Sequence, residues 1–194
     1  MKDATSLFDL PALLAASPRL GLLIALLVVA AVIDYRSFRI PNWLTVGGVL
    51  AGLASGAFDA PQPLDGLLGA STGIAVGFAV MLPFYALRVM GAGDVKLMAA
   101  VGAFLGFPGI VYAVLFTFIT GGIAALAFAI VHRVTGRMAR NVSTIAWSVA
   151  VAAMTGTSPA ASIKQAGSIG KLPYAISIGI GTVAYLVVKQ LGYA

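Results

Sequence analysis

The chain has 194 residues, 60% of them hydrophobic and only 9% charged, with 12 Lys+Arg against 6 Asp+Glu, a net charge of +6 and no cysteine. So much apolar surface excludes an ordinary soluble domain of this size, and the lack of cysteine excludes disulfides and any Cys-ligated zinc or iron–sulfur site. The basic excess is not a nucleic-acid footprint either, because the cations are scattered along the chain.

The first 17 residues carry two aspartates and a proline in a short apolar stretch. They lack the layout of a cleavable signal, and residues 1–18 read as an external tail. About 20 apolar residues cross a hydrocarbon core about 30 Å thick, and continuous apolar runs call for helices rather than an alternating barrel. Spans are predicted at 19–35, 43–58, 66–87, 95–107, 109–131 and 172–190. The run from 95 to 131 is too long for one helix, and Gly106-Phe107-Pro108-Gly109 divides it. Its first half has the length of a re-entrant or protein-buried helix. Residues 132–171 open with Arg133, Arg137 and Arg140 and contain an apolar run only ten residues long. They are expected to form a cytoplasmic or interfacial loop with a helix or hairpin on the membrane surface. The fold class is therefore all-α: one polytopic membrane domain over 1–194, with six transmembrane helices and a surface helical segment between the fifth and sixth. Gly47, Gly48, Gly52, Gly56, Gly73 and Gly77 are expected to let these helices pack closely.

Charge orients the chain. With the 35–42 loop in the cytoplasm, nine of the 12 basic residues lie inside and only Lys2, Arg19 and Lys189 lie outside, as the positive-inside rule requires. Both termini are then external. Asp3, Asp9, Asp59 and Asp65 also fall outside. Asp34 and Asp94, 60 residues apart, are the acids left at the inner face.

Ionisable groups at membrane depth are functional candidates by default. Two carboxylates in a low-dielectric cleft do not both ionise cheaply, so the pair titrates as a unit and offers one acid and one base. Such a pair activates water against a peptide carbonyl and protonates the leaving amine. Asp34 closes a helix, whose end favours the protonated form, and Asp94 opens one, whose end favours the ionised form; Asp94 reads as base and Asp34 as acid. Gly91 and Gly93 remove bulk beside Asp94 and would admit a peptide. Arg36, Arg39 and Lys96 read first as topology anchors able to pair with Asp34; Lys96 could also hold the ionised carboxylate, and Lys96 and Arg36, with Gly91 and Gly93, are candidates for shaping the site or binding substrate. Taken singly, Asp94 could be only a helix N-cap and Asp34 only an interfacial ion pair. A carrier role in a proton- or cation-coupled transporter is the alternative from another class, though carriers sit nearer the midplane.

Asp34-Tyr35-Arg36-x-x-x-Ile40-Pro41-Asn42, Gly91-x-Gly93-Asp94-x-Lys96-Leu97 and Leu172-Pro173-Tyr174-Ala175-Ile176 together resemble the type IV prepilin peptidases, intramembrane aspartic proteases with a GxGD motif. The resemblance implies that Asp34 and Asp94 are the catalytic dyad, with no metal or cofactor. It implies a prepilin substrate cut after the glycine that ends its short basic leader, at the cytoplasmic face of the bacterial inner membrane. Long-form members carry paired CxxC motifs associated with N-methylation. This cysteine-free chain resembles the short, peptidase-only form of tight-adherence (Flp) pilus systems, so no methyltransferase activity is expected. Archaeal preflagellin peptidases share the GxGD site and are the nearest alternative; presenilin-like proteases fit the spacing less well.

Overall fold

A computed structural model describes residues 17–87, 90–156 and 173–192, side chains 137, 138 and 153 apart. Among them lie seven α-helices: α1 Pro18–Ser37, α2 Asn42–Asp59, α3 Pro63–Ala86, α4 Ala92–Leu105, α5 Gly109–Val131, α6 Thr135–Thr155 and α7 Tyr174–Gln190. Proline in the first turn starts α1 and α3, where its missing N–H costs no hydrogen bond. Phe38, in the left-handed region at φ 49°, stops α1 and returns its N–H to the Asp34 carbonyl. Gly106 stops α4 at φ 65°, a conformation that glycine adopts without strain, and α5 begins three residues later. The Gly-Phe-Pro-Gly break thus falls where the sequence places it.

The protein is an all-helical, multi-pass membrane protein. Three helices, α1, α3 and α5, are long and apolar enough to cross a bilayer, and α7 is a shorter apolar helix of 17 residues. Their outer surfaces are apolar, with Val28, Phe78 and Ile123 among the exposed side chains, as lipid contact requires. α4 is different. Nearly every residue from Asp94 to Phe104 is buried, because α1, α2, α3, α5 and α7 all pack against it. A 14-residue helix surrounded by protein need not match the hydrocarbon thickness. Of the expected loop 132–171, Thr135–Thr155 form α6, which touches α5 and is otherwise largely exposed, Trp147 included; residues 157–171 lie outside the described residues.

Helix crossings are set by small residues, since helices in lipid gain association energy from close contact rather than from leaving water. A Cβ on Gly73 would land on the Gly102 carbonyl, and one on Gly102 would land on that of Gly73, so α3 and α4 touch backbone to backbone. Gly56 meets Gly66 in the same way between α2 and α3, and Gly52 lies against Ala103. Gly48 and Gly77 are equally crowded. Gly47 is not: nothing approaches it, because it faces away from the bundle one step around α2 from Gly48. The partners Gly66, Gly102 and Gly181 carry as much of the packing as the glycines expected from sequence.

Gly73→Ala or Gly102→Ala should therefore cost about 3 kcal/mol or more, a fall of roughly 10 °C in the melting temperature in detergent, because the new methyl meets immovable backbone. Gly47→Ala and Gly69→Ala, which meet nothing within 4 Å, should leave that temperature unchanged.

Candidate functional site

The buried positions of α1 are Leu23, Leu26, Leu27, Ala30 and Asp34. Steps of three and four keep them on one face, so Asp34 is the last member of the core stripe and its carboxylate is carried inward. It is 6% exposed, while its neighbours Tyr35 and Arg36 point outward. Its Oδ2 accepts a hydrogen bond from the backbone N–H of Ala175 at 3.1 Å. Ala175 is in the first turn of α7, where N–H groups have no partner within their own helix. A carboxylate from α1 thus caps α7 across the bundle.

Asp94 occupies the third position of α4 and is 8% exposed. Its Oδ2 accepts the N–H of Gly91, the residue that caps α4, at 3.0 Å. This is the reach-back half of a capping box, so the cap expected for Asp94 is present. It does not consume the carboxylate, which has further lone pairs. Asp34 at the end of α1 is bonded to Ala175 at the start of α7, and Ile40 just beyond α1 packs on Gly93 at the start of α4. Three helix ends therefore converge: the C-terminus of α1 and the N-termini of α4 and α7. Gly93 seats against Ile40, where a Cβ would come within 3.0 Å of the Ile40 Cβ, and this holds the α1–α2 turn on the start of α4. Gly91 and Gly93 both belong to this site.

Two further candidates, Lys96 and Arg36, are not bonded to either carboxylate among the described residues. Lys96 is two positions beyond Asp94, on the far side of α4, and its Nζ donates to Asn42 Oδ1 at 2.8 Å. It ties α4 to the start of α2 rather than holding a carboxylate. Arg36 is exposed, and the ion pair found among the described residues, Arg19 with Asp59 at 3.7 Å, lies at the other end of the bundle. The assignment of acid and base from helix ends also changes: Asp34 closes α1 but simultaneously sits at the N-terminus of α7, so both carboxylates face positive helix ends. The sequence offered no signal for the Ala175 donor beyond its place in the Leu172–Ile176 motif, because a backbone N–H is common to almost every residue. Leu172 itself is outside the described residues. His132 is exposed and rests on the Phe128 ring at a centroid distance of 4.2 Å, away from the pair.

The arrangement provides two buried carboxyl groups, each accepting one backbone N–H. Each carboxyl group keeps lone pairs that can accept from a water. Among the described residues, no three His, Asp or Glu gather as a metal site would require.

Compared with known families, residues 21–126 match the type IV leader peptidase family, a stretch that contains both carboxylates. Two curated relatives bear the name prepilin leader peptidase/N-methyltransferase. The one from Myxococcus xanthus is 36% identical over 111 residues, which is 54% of this chain and 32% of the relative. That from Dickeya chrysanthemi is 34% identical over 130 residues, 61% of this chain and 45% of the relative. The chain thus spans less than half the length of either. No solved structure matches it.

Since Lys96 faces Asn42, Lys96→Met should leave the shape of the pH–rate profile superimposable on that of the unmodified protein. Displacement of either limb would show that its charge reaches the carboxylates.

Proposed function

This chain belongs to the type IV leader peptidase family, and from that premise we propose that it is an intramembrane aspartic endopeptidase with Asp34 and Asp94 as its dyad. One observation carries the assignment: two acids 60 residues apart are both buried at one end of the bundle, each oriented by an N–H at a helix start. In the reaction, the ionised carboxylate takes a proton from a water as its oxygen bonds to the scissile carbonyl carbon. The protonated partner donates to the carbonyl oxygen. On collapse of the tetrahedral intermediate the C–N bond breaks, the carboxyl that took the water's proton passes it to the amine, a hydroxyl of the intermediate returns a proton to the other carboxylate, and the pair again holds a single shared proton. Helix-start N–H groups hold the two carboxyl groups in place through these changes of charge.

The proposed substrate is a prepilin of the Flp type, cut after the glycine that closes its basic leader. We assign the peptidase activity alone. The relatives' names add methyl transfer, but this chain contains none of the cysteines that the long form pairs. The charge asymmetry supports a bacterial inner-membrane protein with the dyad at the cytoplasmic face and both termini outside. In this reading α1 to α5 and α7 make six crossings, and α6 lies on the surface with Trp147 at the lipid boundary. The carrier alternative has no support. Both carboxylates sit at helix ends, and the relatives are named for peptide cleavage and methyl transfer.

Asp34→Asn and Asp94→Asn should each reduce prepilin processing by at least about 100-fold, the lower bound of what a positioned acid or base contributes. Melting temperature in detergent should stay close to that of the parent, since an amide still accepts the same N–H. Processing at the parent rate by either variant refutes the dyad. The native pH–rate profile should be bell-shaped. Activity falls at low pH as the base takes up a proton, and at high pH as the acid loses one. Chelators should have no effect on the rate.

A further inference from the structure

Two apolar cavities lie end to end along the seam of α1 and α7. One, of about 410 Å³, has Val28 and Ala31 on one wall and Ile176, Gly179 and Ile180 on the other. The second, of about 440 Å³, runs on past Leu20 and Val187 and is bordered by Arg19 and Lys189. Ile24 and Val183 belong to both. On α1 the wall follows positions 20, 24, 28 and 31, and on α7 it follows 176, 180, 183 and 187. Steps of three and four stay on one helix face, so the two cavities form a single trough. Val28 and Ile180, 57% and 55% exposed, leave it open to lipid along its length. Gly179, with the Leu27 Cβ at 3.9 Å, keeps its floor low. The next step on α1 beyond Ala31 is Asp34, and Ile176 follows the very residue whose N–H holds the Asp34 carboxylate.

We infer that this trough receives the apolar helix of the substrate beyond the scissile bond, with its N-terminal end at the carboxylate pair and its C-terminal end at Arg19 and Lys189. The inference rests on the peptidase reading and adds the route by which substrate reaches the dyad. A peptide segment in hydrocarbon must be helical, because its backbone finds no water there. From Leu20 to Asp34 the trough extends about 21 Å at about 1.5 Å per residue, room for roughly four turns of helix. The partial negative charge at that helix's C-terminus meets Arg19 and Lys189; Asp59 is paired with Arg19 at 3.7 Å. A smaller groove of about 230 Å³ between α2, α3 and α4 is a poorer candidate, because it leads to Lys96 and Asn42 instead of a carboxylate.

The chain has no cysteine, so single cysteines report without background. Val28→Cys, Ile180→Cys, Leu50→Cys in the smaller groove and Ile123→Cys on α5 would each be placed on the Asp94→Asn chain. Each would be co-expressed with a prepilin carrying one cysteine in the apolar segment after its cleavage site, and the membranes oxidised with copper phenanthroline. Cross-linking at Val28→Cys and Ile180→Cys should exceed that at the other two positions several-fold. Equal yields, a preference for Leu50→Cys, or no product at any position with lipid alone filling the trough would overturn the inference. In the otherwise native chain, Gly179→Phe should raise the KM for prepilin about tenfold, equivalent to about 1.4 kcal/mol of lost docking. An unchanged KM would also overturn it, and should that variant fold poorly the cross-links decide. If the native chain processes prepilin yet no trough cross-link forms, the docking site alone is wrong. If the native chain processes no prepilin, the peptidase reading falls first.

Discussion

The hydrogen bond from Ala175 N–H to the Asp34 carboxylate is the contact on which the rest of the site depends. It joins the first and last described helices, which are 141 positions apart in sequence at the bonded residues. Without it, the core stripe of α1 would end in an unpartnered buried acid and the first turn of α7 would present an unpartnered donor. Each of those faults costs about 1–3 kcal/mol or more in a dry interior. Together they cancel, and the resulting bond fixes the carboxylate within a bundle whose middle offers almost nothing else polar. Asp94 solves the same problem within a shorter stretch, by reaching back to Gly91. A helix start is thus the common device: it satisfies an acid without a cation, leaving the acid able to exchange a proton.

α4 is the element that makes this geometry possible. Being enclosed by five helices, it has no lipid-facing side to fill, and its 14 residues can stop short of the membrane depth that a lipid-exposed span would need. Asp94 therefore enters the bundle from one end while the helix body stays apolar. The enclosure in turn requires that neighbours come very close. Gly73 against Gly102 and Gly52 against Ala103 supply that approach on two sides of α4. A larger side chain at these crossings would push α3 or α2 outward and loosen the seat of α4. The end that carries the two carboxylates and the glycine crossings are thus two parts of one packing arrangement.

Much of this is readable in the sequence, and what is not has a physical cause. Asp34 and Asp94 stand out because an acid at the end of an apolar run is costly, so the two positions announce themselves without any contact being known. Gly-Phe-Pro-Gly marks the α4–α5 break because those residues cannot continue a helix. Lys96 is misjudged for a simple reason. Nearness in sequence to Asp94 suggests nearness in space, yet a helix turns a residue two positions on to the opposite side, where Asn42 receives it. The electrical setting of Asp34 is misjudged because its own helix shows only a C-terminus, while the decisive neighbour, α7, arrives from the far end of the chain. Gly47 and Gly48 differ by one residue and only one is crowded, since face, not composition, decides which glycine meets a partner.

The distribution of polar contacts along the bundle follows from the same economy. At one end Arg19 reaches the Ala103 carbonyl at 3.4 Å and Asp59 at 3.7 Å, tying the start of α1 to the ends of α4 and α2. At the other end lie the two carboxylates, their N–H donors, and Lys96 with Asn42. Between them the helices meet through small residues and apolar side chains, with threonine and serine hydroxyls turned onto nearby carbonyls, as Thr117 does onto Ala113. The proposed hydrolysis would need a wet end, and hydrocarbon tolerates no polar path through the middle. The bundle meets both demands by confining its described acids and cations to its two ends, and where the two buried carboxylates lie, the neighbouring cation Lys96 is bonded to Asn42 rather than to an acid.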